Sequence, residues 1–550
     1  MNSAVAARRV IPAVLIGLLA ARAAAQWTSD PNTNTPVATN SGDEGTPIVA
    51  AAPGGATWVC HTDNSAGAGY KYSVQLLDSA GVRQFPSSIV VSPNRTNTAT
   101  FLMDMEVDGL GNAIIAFDNT GIYAQKVLPD GSLAWGPSGV FMTGSTGALG
   151  PRVCAMADGS AVVCWASGSI NLNFQRVNSN GTLGAAWQLT ETGRAQSPSD
   201  MVGTSAVGEF ILLWVRAEGT NMVTSRKGLK IQKWDASNAQ VWNGGTPLNV
   251  YTSSAAPSQG IQTSYFPRVL ADGANGAIVA WYDTGATRNA WLQHVLANGT
   301  FQFAAAGLAV SVVSSATELR LSAAVTYHAT PGEYTVAYER STPSQSAFGI
   351  SAQRITGAGS RLWGTGAGVE LLPMTGNHSS FINCNSAPSA GGNEAIVTWL
   401  QYAGANGPMG VLSSRLHADG TAVWSPANIE AATNTVNKGR LGVVNSTGGD
   451  WLVAGWGHDT SGNQDVRAMR INADGTRGSS DPICDSVDFN NDTLFPDTLD
   501  IDDFLSVFAG GPCSNDPNCN DIDYNNDALF PDTLDIDAVL SVFAGGPCLI

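Results

Sequence analysis

The feature that most constrains this chain is a unit that recurs eight times along it. Each copy has a short alternating run, a Gly turn and a β-branched run closing on an aromatic residue; Val153 to Trp165 is one copy, and Ala271 to Trp281 contains another. The aromatic ends are Phe117, Trp165, Trp214, Trp281, Tyr338, Trp399 and Trp456, and a weaker first copy ends in Trp58-Val-Cys-His61. A polar loop follows each end, then a strand of the type Gln-Lys/Arg-Val, a second turn and often another Trp, as in Gln125 to Trp135. Gln175, Gln232, Gln293 and Gln353 open further copies, whereas those at Ser414 and Met469 drop the Gln but keep Arg-Leu/Ile and Asp-Gly. Such repetition means that one supersecondary unit is stacked on its own copies, because a single unit cannot bury its apolar face alone.

Four short strands per unit, tight Asp-Gly or Asn-Gly turns and no helical periodicity between them specify a mainly β fold, a β-propeller of about eight four-stranded blades over residues 26–480. A parallel β-helix is the alternative, but its coils of about 20–30 residues are shorter than the spacing here. The eighth unit stops at Asp474 to Ser480 without its Trp-bearing outer strand. Trp27, Pro36-Val37 and Pro47 parallel Trp135, Val140 and Pro151, so the first strand is expected to complete the last blade and remove the open sheet edges.

Composition separates the two ends of the chain. The net charge is −17, yet 15 of the 44 acidic residues, and none of the 27 basic ones, lie from Asp481 onward. A chain so poor in cations has no surface to neutralise nucleic-acid phosphates. Arg8-Arg9, the apolar run Val10 to Ala20 and Ala23-Ala24-Ala25 form an export signal over residues 1–25; the run is too short to span a bilayer. The mature protein is therefore expected to be secreted, extracellular or attached to the cell surface, with no transmembrane segment. In that oxidising setting cysteines can pair. Cys154 and Cys164 flank Gly159 symmetrically, which would place them opposite each other on a hairpin, as either a cross-strand disulfide or two buried thiols. Cys60 and Cys384 have no evident partner, and Cys484, Cys513, Cys519 and Cys548 fall in the acidic segment.

Catalytic motifs are absent from the repeat region: there is no Gly-x-Ser-x-Gly, no His-Glu-x-x-His and no phosphate loop. The six His are scattered. Acids do recur at the exit of the second strand, as Asp63, Asp118, Asp283, Glu339 and Asp459. They either hold the backbone of their own turns or form a carboxylate ring on the face where propellers usually take ligands.

The acidic segment (481–550) repeats itself. Residues 484–513 and 519–548 match at 23 of 30 positions. In each, Asp-x-Asn-x-Asp supplies three oxygen side chains on a tight loop, Asp488, Asn490 and Asp492, then Asp523, Asn525 and Asp527. Two further carboxylates follow, Asp497 and Asp500, then Asp532 and Asp535. Ile501, Phe504, Leu505 and Phe508 fall at helical spacing before Gly510-Gly511-Pro512, and Ile536, Val539, Leu540 and Phe543 repeat the pattern. These two copies resemble the dockerin repeat, in the variant with Cys and Gly-Gly-Pro-Cys borders called the GC-type dockerin. The resemblance implies two EF-hand-like calcium loops, with those ten residues as ligands, and a cohesin-like module on another protein as partner. By position it assigns partner contact to Thr498-Leu499 and Thr533-Leu534. Thr493 and Ala528 stand where dockerins usually have Gly, and one residue is inserted before Asp497. Together these features point to a non-catalytic binding or adhesion propeller, with a polysaccharide or protein ligand, tethered through a calcium-dependent tail. The rival is a polysaccharide-acting glycoside hydrolase on the same scaffold.

Overall fold

A computed structural model describes residues 27–40, 42–64, 69–91, 103–146, 148–168, 170–252, 260–263, 265–284, 288–387, 393–403, 407–448, 450–459, 463–478, 487–492, 497–515, 519–520, 522–524 and 533–544. The expected export signal over residues 1–25 and the outer cysteines Cys484 and Cys548 lie outside these residues. Ala25–Ser479 is one compact unit, and Ser480–Ile550 falls in a second.

The first unit is an eight-bladed propeller of four-stranded antiparallel sheets. Blade one is Glu44–Ala51, Thr57–Asp63, Lys71–Leu77 and Ile89–Val90, and the following blades repeat this meander in chain order. First strands of successive blades pack on each other, so they line the axis. Second strands such as Ala113–Asp118 and Ala277–Tyr282 are buried along their whole length. Each is sandwiched between blades, which explains runs of Ala, Val and Ile where a sheet with one wet face would alternate. There is no single core: eight apolar clusters each join two adjacent blades, from Trp58–Phe117 between blades one and two to Trp456–Ile396 between eight and seven.

The ring closes as the first strand's sequence requires. Thr35–Ala38 pairs with Gln464–Asn472, Thr35 opposite Ala468 and Pro36 opposite Arg467, as the outer strand of blade eight. Trp27 then occupies the outer-Trp position. Its indole donates to Ser79 O (3.0 Å), as Trp135 does to Ser179 O (3.1 Å), Trp242 to Ala297 O (3.0 Å), Trp363 to Ala418 O (2.9 Å) and Trp424 to Ala473 O (2.9 Å). Every acceptor lies in a third-strand turn of the next blade, and the turn's glycine lets the ring approach. An added Cβ at Gly299 would sit 2.8 Å from Trp242, and one at Gly81 2.7 Å from Trp27.

The recurrent Gln has an equally local cause. Gln232 Oε1 accepts from its neighbour Lys233 N (2.8 Å) and from Trp242 N (2.9 Å), while its amide donates to Trp242 O (3.2 Å). It thus clamps the returning chain ten residues on; Gln353 does the same at Trp363, and Gln293 accepts from Phe303 N while its amide donates to Ala304 O. Gln75, in the first copy, plays this part too, with Phe85. Register through these Gln residues fixes the end of the first copy within Trp58-Val-Cys-His61. Gln75 pairs with Val59, as Gln125 pairs with Ile115, so the place of Phe117 is taken in blade one by His61. His61 is buried, with Nε2 3.0 Å from Ser88 Oγ and Nδ1 3.1 Å from Thr62 O.

The symmetric placing of Cys154 and Cys164 is corrected. Cys154 faces Val162 and Cys164 faces Arg152, so the hairpin is centred one residue earlier, on Asp158, and the thiols sit diagonally. Both are free and buried, as are Cys60 and Cys384. Burial pushes the Cys384 thiol up to about 12 and the others higher, which leaves them unreactive.

In the second unit, two helices, α1 (Thr498–Phe508) and α2 (Thr533–Phe543), pack around Phe489, Phe504, Tyr524, Ala538 and Val539. Cys513 is bonded to Cys519, joining the two repeats. The expected apolar stripes are only partly buried: Leu505 and Leu540 are exposed. Among the described residues, no helix is long and apolar enough to cross a membrane.

Candidate functional site

The inner strands carry a feature that the repeat pattern does not announce. In blades one, three, six, seven and eight, one extra residue is inserted near the start of the first strand, between Gly45 and Ile48, Leu149 and Arg152, Leu321 and Ala324, Ser380 and Asn383, and Gly439 and Gly442. At these bulges Thr46, Gly150, Ser322, Phe381 and Arg440 have φ of 50°, 63°, 51°, 52° and 57°. Only glycine enters this left-handed region freely; for Phe, Arg or Thr the conformation is strained by about 1–3 kcal/mol and is held by the surrounding sheet. Bulges re-aim side chains, and here they aim three of them into one place.

That place is a cavity of about 390 Å³ spanning blades seven, eight and one, lined by Thr46, Phe381 and Arg440 together with Asp43, Tyr70, Tyr402, Lys438 and Gln464. It lies on the face where second strands exit, since Thr62 is next to last in such a strand and Tyr402 ends another. The Arg440 guanidinium lies over the Phe381 ring, 5.6 Å from its centre. Gln464 fits because glycine stands at 45 and 457, where a Cβ would collide with its amide. Lys438 is 3% exposed, and its ammonium donates to the carbonyls of Met409 (2.9 Å), Thr433 (2.6 Å) and Val436 (3.4 Å). Burial lowers its pKa to about 8. Opposite it, burial and the Lys438 charge hold His458 down to about 4, so that imidazole is neutral.

The exit acids are all found at second-strand ends, but they do not converge on this cavity. Asp283 accepts from Tyr251 OH (3.0 Å) of the preceding blade and from Asn289 N (3.3 Å). Glu339 accepts from Ser379 Oγ (2.9 Å) of the next blade, with His378 Nε2 3.7 Å away, and burial raises its pKa to about 8. Asp63 faces Ser73 (3.4 Å), and burial raises Asp118 against a hydrogen bond from Gly121. Asp118 and Asp283 bond their own turns; Asp283 and Glu339 also tie neighbouring blades together. The only carboxylate on the cavity wall, among the described residues, is Asp43, which accepts from Gln464 N (3.3 Å).

In the C-terminal unit, Asp488, Asn490 and Asp492 fold into one turn: Asp492 N donates to Asp488 Oδ1 (2.9 Å) and Asn490 Oδ1 (3.1 Å). Asn490 is steered from α1, where Asp503 accepts from its amide (3.0 Å). Asp497 is the cap of α1, accepting from Leu499 N (2.8 Å), and Asp500 closes a capping box by accepting from Asp497 N (3.0 Å). Among the described residues, the other oxygen of Asp500, Oδ1, is buried without a hydrogen-bond partner. Among the described residues, no three His, Cys, Asp or Glu side chains gather closely enough to hold a metal ion by themselves. In the second repeat Asp535 is buried in the first turn of α2, whereas Asn525, Asp527 and Asp532 lie outside the described residues. Leu499 and Leu534 are exposed, beside Thr498 and Thr533, at the helix starts.

No family model matches the chain, and no curated protein matches it. Among solved structures it is similar to the BP39L lectin from Burkholderia pseudomallei, at 13% identity over 68% of this chain and 97% of that one, with a TM-score of 0.42. It is also similar to puromycin hydrolase, at 13% identity over 80% of this chain and 62% of the other, TM-score 0.39. An endo-arabinase from Bacteroides thetaiotaomicron matches at 13% identity over 48% of this chain and 88% of the other, TM-score 0.29.

Proposed function

We propose that this is an exported binding propeller that holds a glycan-type ligand, without turnover, in the cavity between blades seven, eight and one. The observation that carries this reading is the cavity's wall: Phe381, Tyr70 and Tyr402 bring aromatic side chains for apolar contact with a sugar, while Arg440, Gln464 and Asp43 bring polar groups for its hydroxyls. Hydrolysis of a glycosidic bond ordinarily uses two carboxylates flanking one bond. Asp43 is the carboxylate on the described wall, and the experiment below separates binding from hydrolysis. The test incubates the full mature chain with a panel of insoluble polysaccharides and measures protein depletion and released reducing ends in the same tubes. Depletion without release is expected; release would make the protein a glycosidase, and neither signal would refute a glycan ligand.

The C-terminal unit is read as a dockerin-like calcium module that docks on a cohesin-like partner. Its donor set suits a hard cation: the unpaired buried Asp500 Oδ1 needs a positive neighbour, and Asn490, backbone carbonyls and water ordinarily complete a calcium shell that carboxylates alone do not. Asp488, Asn490, Asp492, Asp497 and Asp500 would hold one ion, and Asp523, Asn525, Asp527, Asp532 and Asp535 a second. Bound calcium would neutralise the crowded carboxylates, so folding of this unit is coupled to binding. Hydrogen exchange should show α1 protected in calcium and exchanging at least tenfold faster in excess chelator; unchanged protection would overturn the assignment. Asp500→Asn keeps the capping acceptor but removes the charge, and should weaken calcium binding by at least tenfold. Because Thr498-Leu499 and Thr533-Leu534 are identical pairs, partner binding should be lost only when both are changed.

A further inference from the structure

The two repeats of the C-terminal unit are nearly the same sequence, and three of their differences meet at one side chain of the first loop. Asn490 is buried there; its Oδ1 accepts from Asp492 N (3.1 Å) within the loop, and its Nδ2 donates to Asp503 Oδ2 (3.0 Å) on α1. A carboxamide can turn over and present either its oxygen or its NH2 group to a cation, but a carboxylate only accepts, so Asp503 admits the orientation that leaves the oxygen to the loop. Asp503 is itself buried and is held by Ser514 N (2.8 Å) and Ser514 Oγ. Ser514 lies in the connector between the repeats, which the Cys513–Cys519 bond closes and which returns to the same loop. Asn515 Nδ2 donates to Asn490 O (2.7 Å), Asn491 Nδ2 to Asn520 Oδ1 (3.0 Å), and Asn520 N to Phe489 O (2.9 Å). At the matching positions the second copy keeps Asn525 for Asn490, but has Ala538, Leu549 and Ile550 for Asp503, Ser514 and Asn515. Ala538 is buried in α2, and its methyl group accepts no hydrogen bond.

We propose that Asp503 is a positioning residue for calcium in the first loop, and that the two loops are therefore unequal, 488–500 binding the ion more tightly than 523–535. The proposal rests on the calcium reading above and adds a rank order and its cause. Asp503 acts through Asn490, since its own oxygens are engaged by Asn490 and Ser514. A ligand oxygen fixed in place beforehand loses little freedom when the ion arrives, and outer partners of this kind change metal affinity by about 10–100-fold.

The experiment is calorimetric titration of calcium into the metal-free full mature chain. Asp535→Asn isolates the first loop and Asp500→Asn the second, and the first should bind about tenfold more tightly. Asp503→Ala should weaken the isolated first loop by about tenfold or more, while leaving the isolated second loop within about twofold. Asn490→Ala weakens the first loop by itself, and adding Asp503→Ala to it should lower the affinity by less than about twofold further, because the two side chains act as one unit. A general loss of fold would instead weaken both loops and add to the effect of Asn490→Ala. Equal affinities in the two loops, a first loop indifferent to Asp503→Ala, weakening of both loops by Asp503→Ala, or additive losses in the double variant would overturn the proposal and leave calcium binding standing. An absence of saturable calcium binding in the parent chain would overturn the calcium reading and this proposal with it.

Discussion

Glu339 shows how a side chain that reads as a catalytic candidate in the sequence becomes a pH-sensitive strut in the fold. Its carboxyl is 2% exposed and protonates near pH 8, against an ordinary 4.5. The folded state therefore holds a proton that the unfolded chain releases, and the stability this gives is whole below pH 4.5 and lost as pH rises to 8. Glu339→Gln should remove that slope, so the melting temperature of the variant relative to the parent should climb by a few degrees between pH 5 and pH 8; a pH-independent difference would contradict it. Lys438 has the opposite sign. Its pKa is lowered from 10.5 to about 8, so the unfolded chain binds the extra proton and stability should rise from pH 8 toward 10.5. Lys438→Met should flatten this rise in denaturation curves. Neither environment is readable from sequence, because burial and partners come from neighbouring blades: Ser379 for Glu339, and Met409 and Thr433 for Lys438.

At the scale of the element, the Asp-Gly and Asn-Gly turns combine two demands that can be separated by mutation. Gly273 has φ 76° and open space around it, whereas Gly299 has φ 83° and Trp242 against it. Gly273→Ala should cost about 1–2 kcal/mol, the strain of a left-handed residue alone. Gly299→Ala should cost about 1–3 kcal/mol more, because its Cβ also overpacks the indole. Urea unfolding of the two variants checks this, and equal costs would mean that the Trp–turn contact is yielding. The turn, the Gln and the outer Trp were visible in the sequence as one motif because they are joined locally, ten residues apart in the chain. The bulges were not visible: Thr46, Phe381 and Arg440 adopt a glycine's conformation without being glycine, and only the sheet on both sides enforces it.

For the molecule as a whole, stability is shared among eight blade interfaces, and one of them is closed by the two ends of the propeller. The seam between blades eight and one is built on Trp27, Val37, Ala38, Val59, Leu77, Val453, Val466 and Ala468. Trp27→Ala should cost about 3–5 kcal/mol there, the usual price of emptying a buried Trp site. Deleting residues 27–39 should lower the propeller's melting temperature by many degrees, since blade eight then exposes a strand edge and the ring loses its closure. An unchanged transition in differential scanning calorimetry would mean that the seam carries no load. The chain's repeats already contained a count of about eight blades, the strand order and this closure, because a period of four short strands with an outer Trp missing at one end and present at the other admits few topologies. The two α1 and α2 stripes were equally legible, since a helix follows local periodicity. What the tertiary structure alone decided is which blades meet around the cavity, the strained bulges that point Phe381 and Arg440 into it, and the burial of the Lys438 ammonium against the carbonyls of Met409, Thr433 and Val436. Those depend on residues from 43 to 464 being brought together across the seam, and no pattern along the chain records the distance between them.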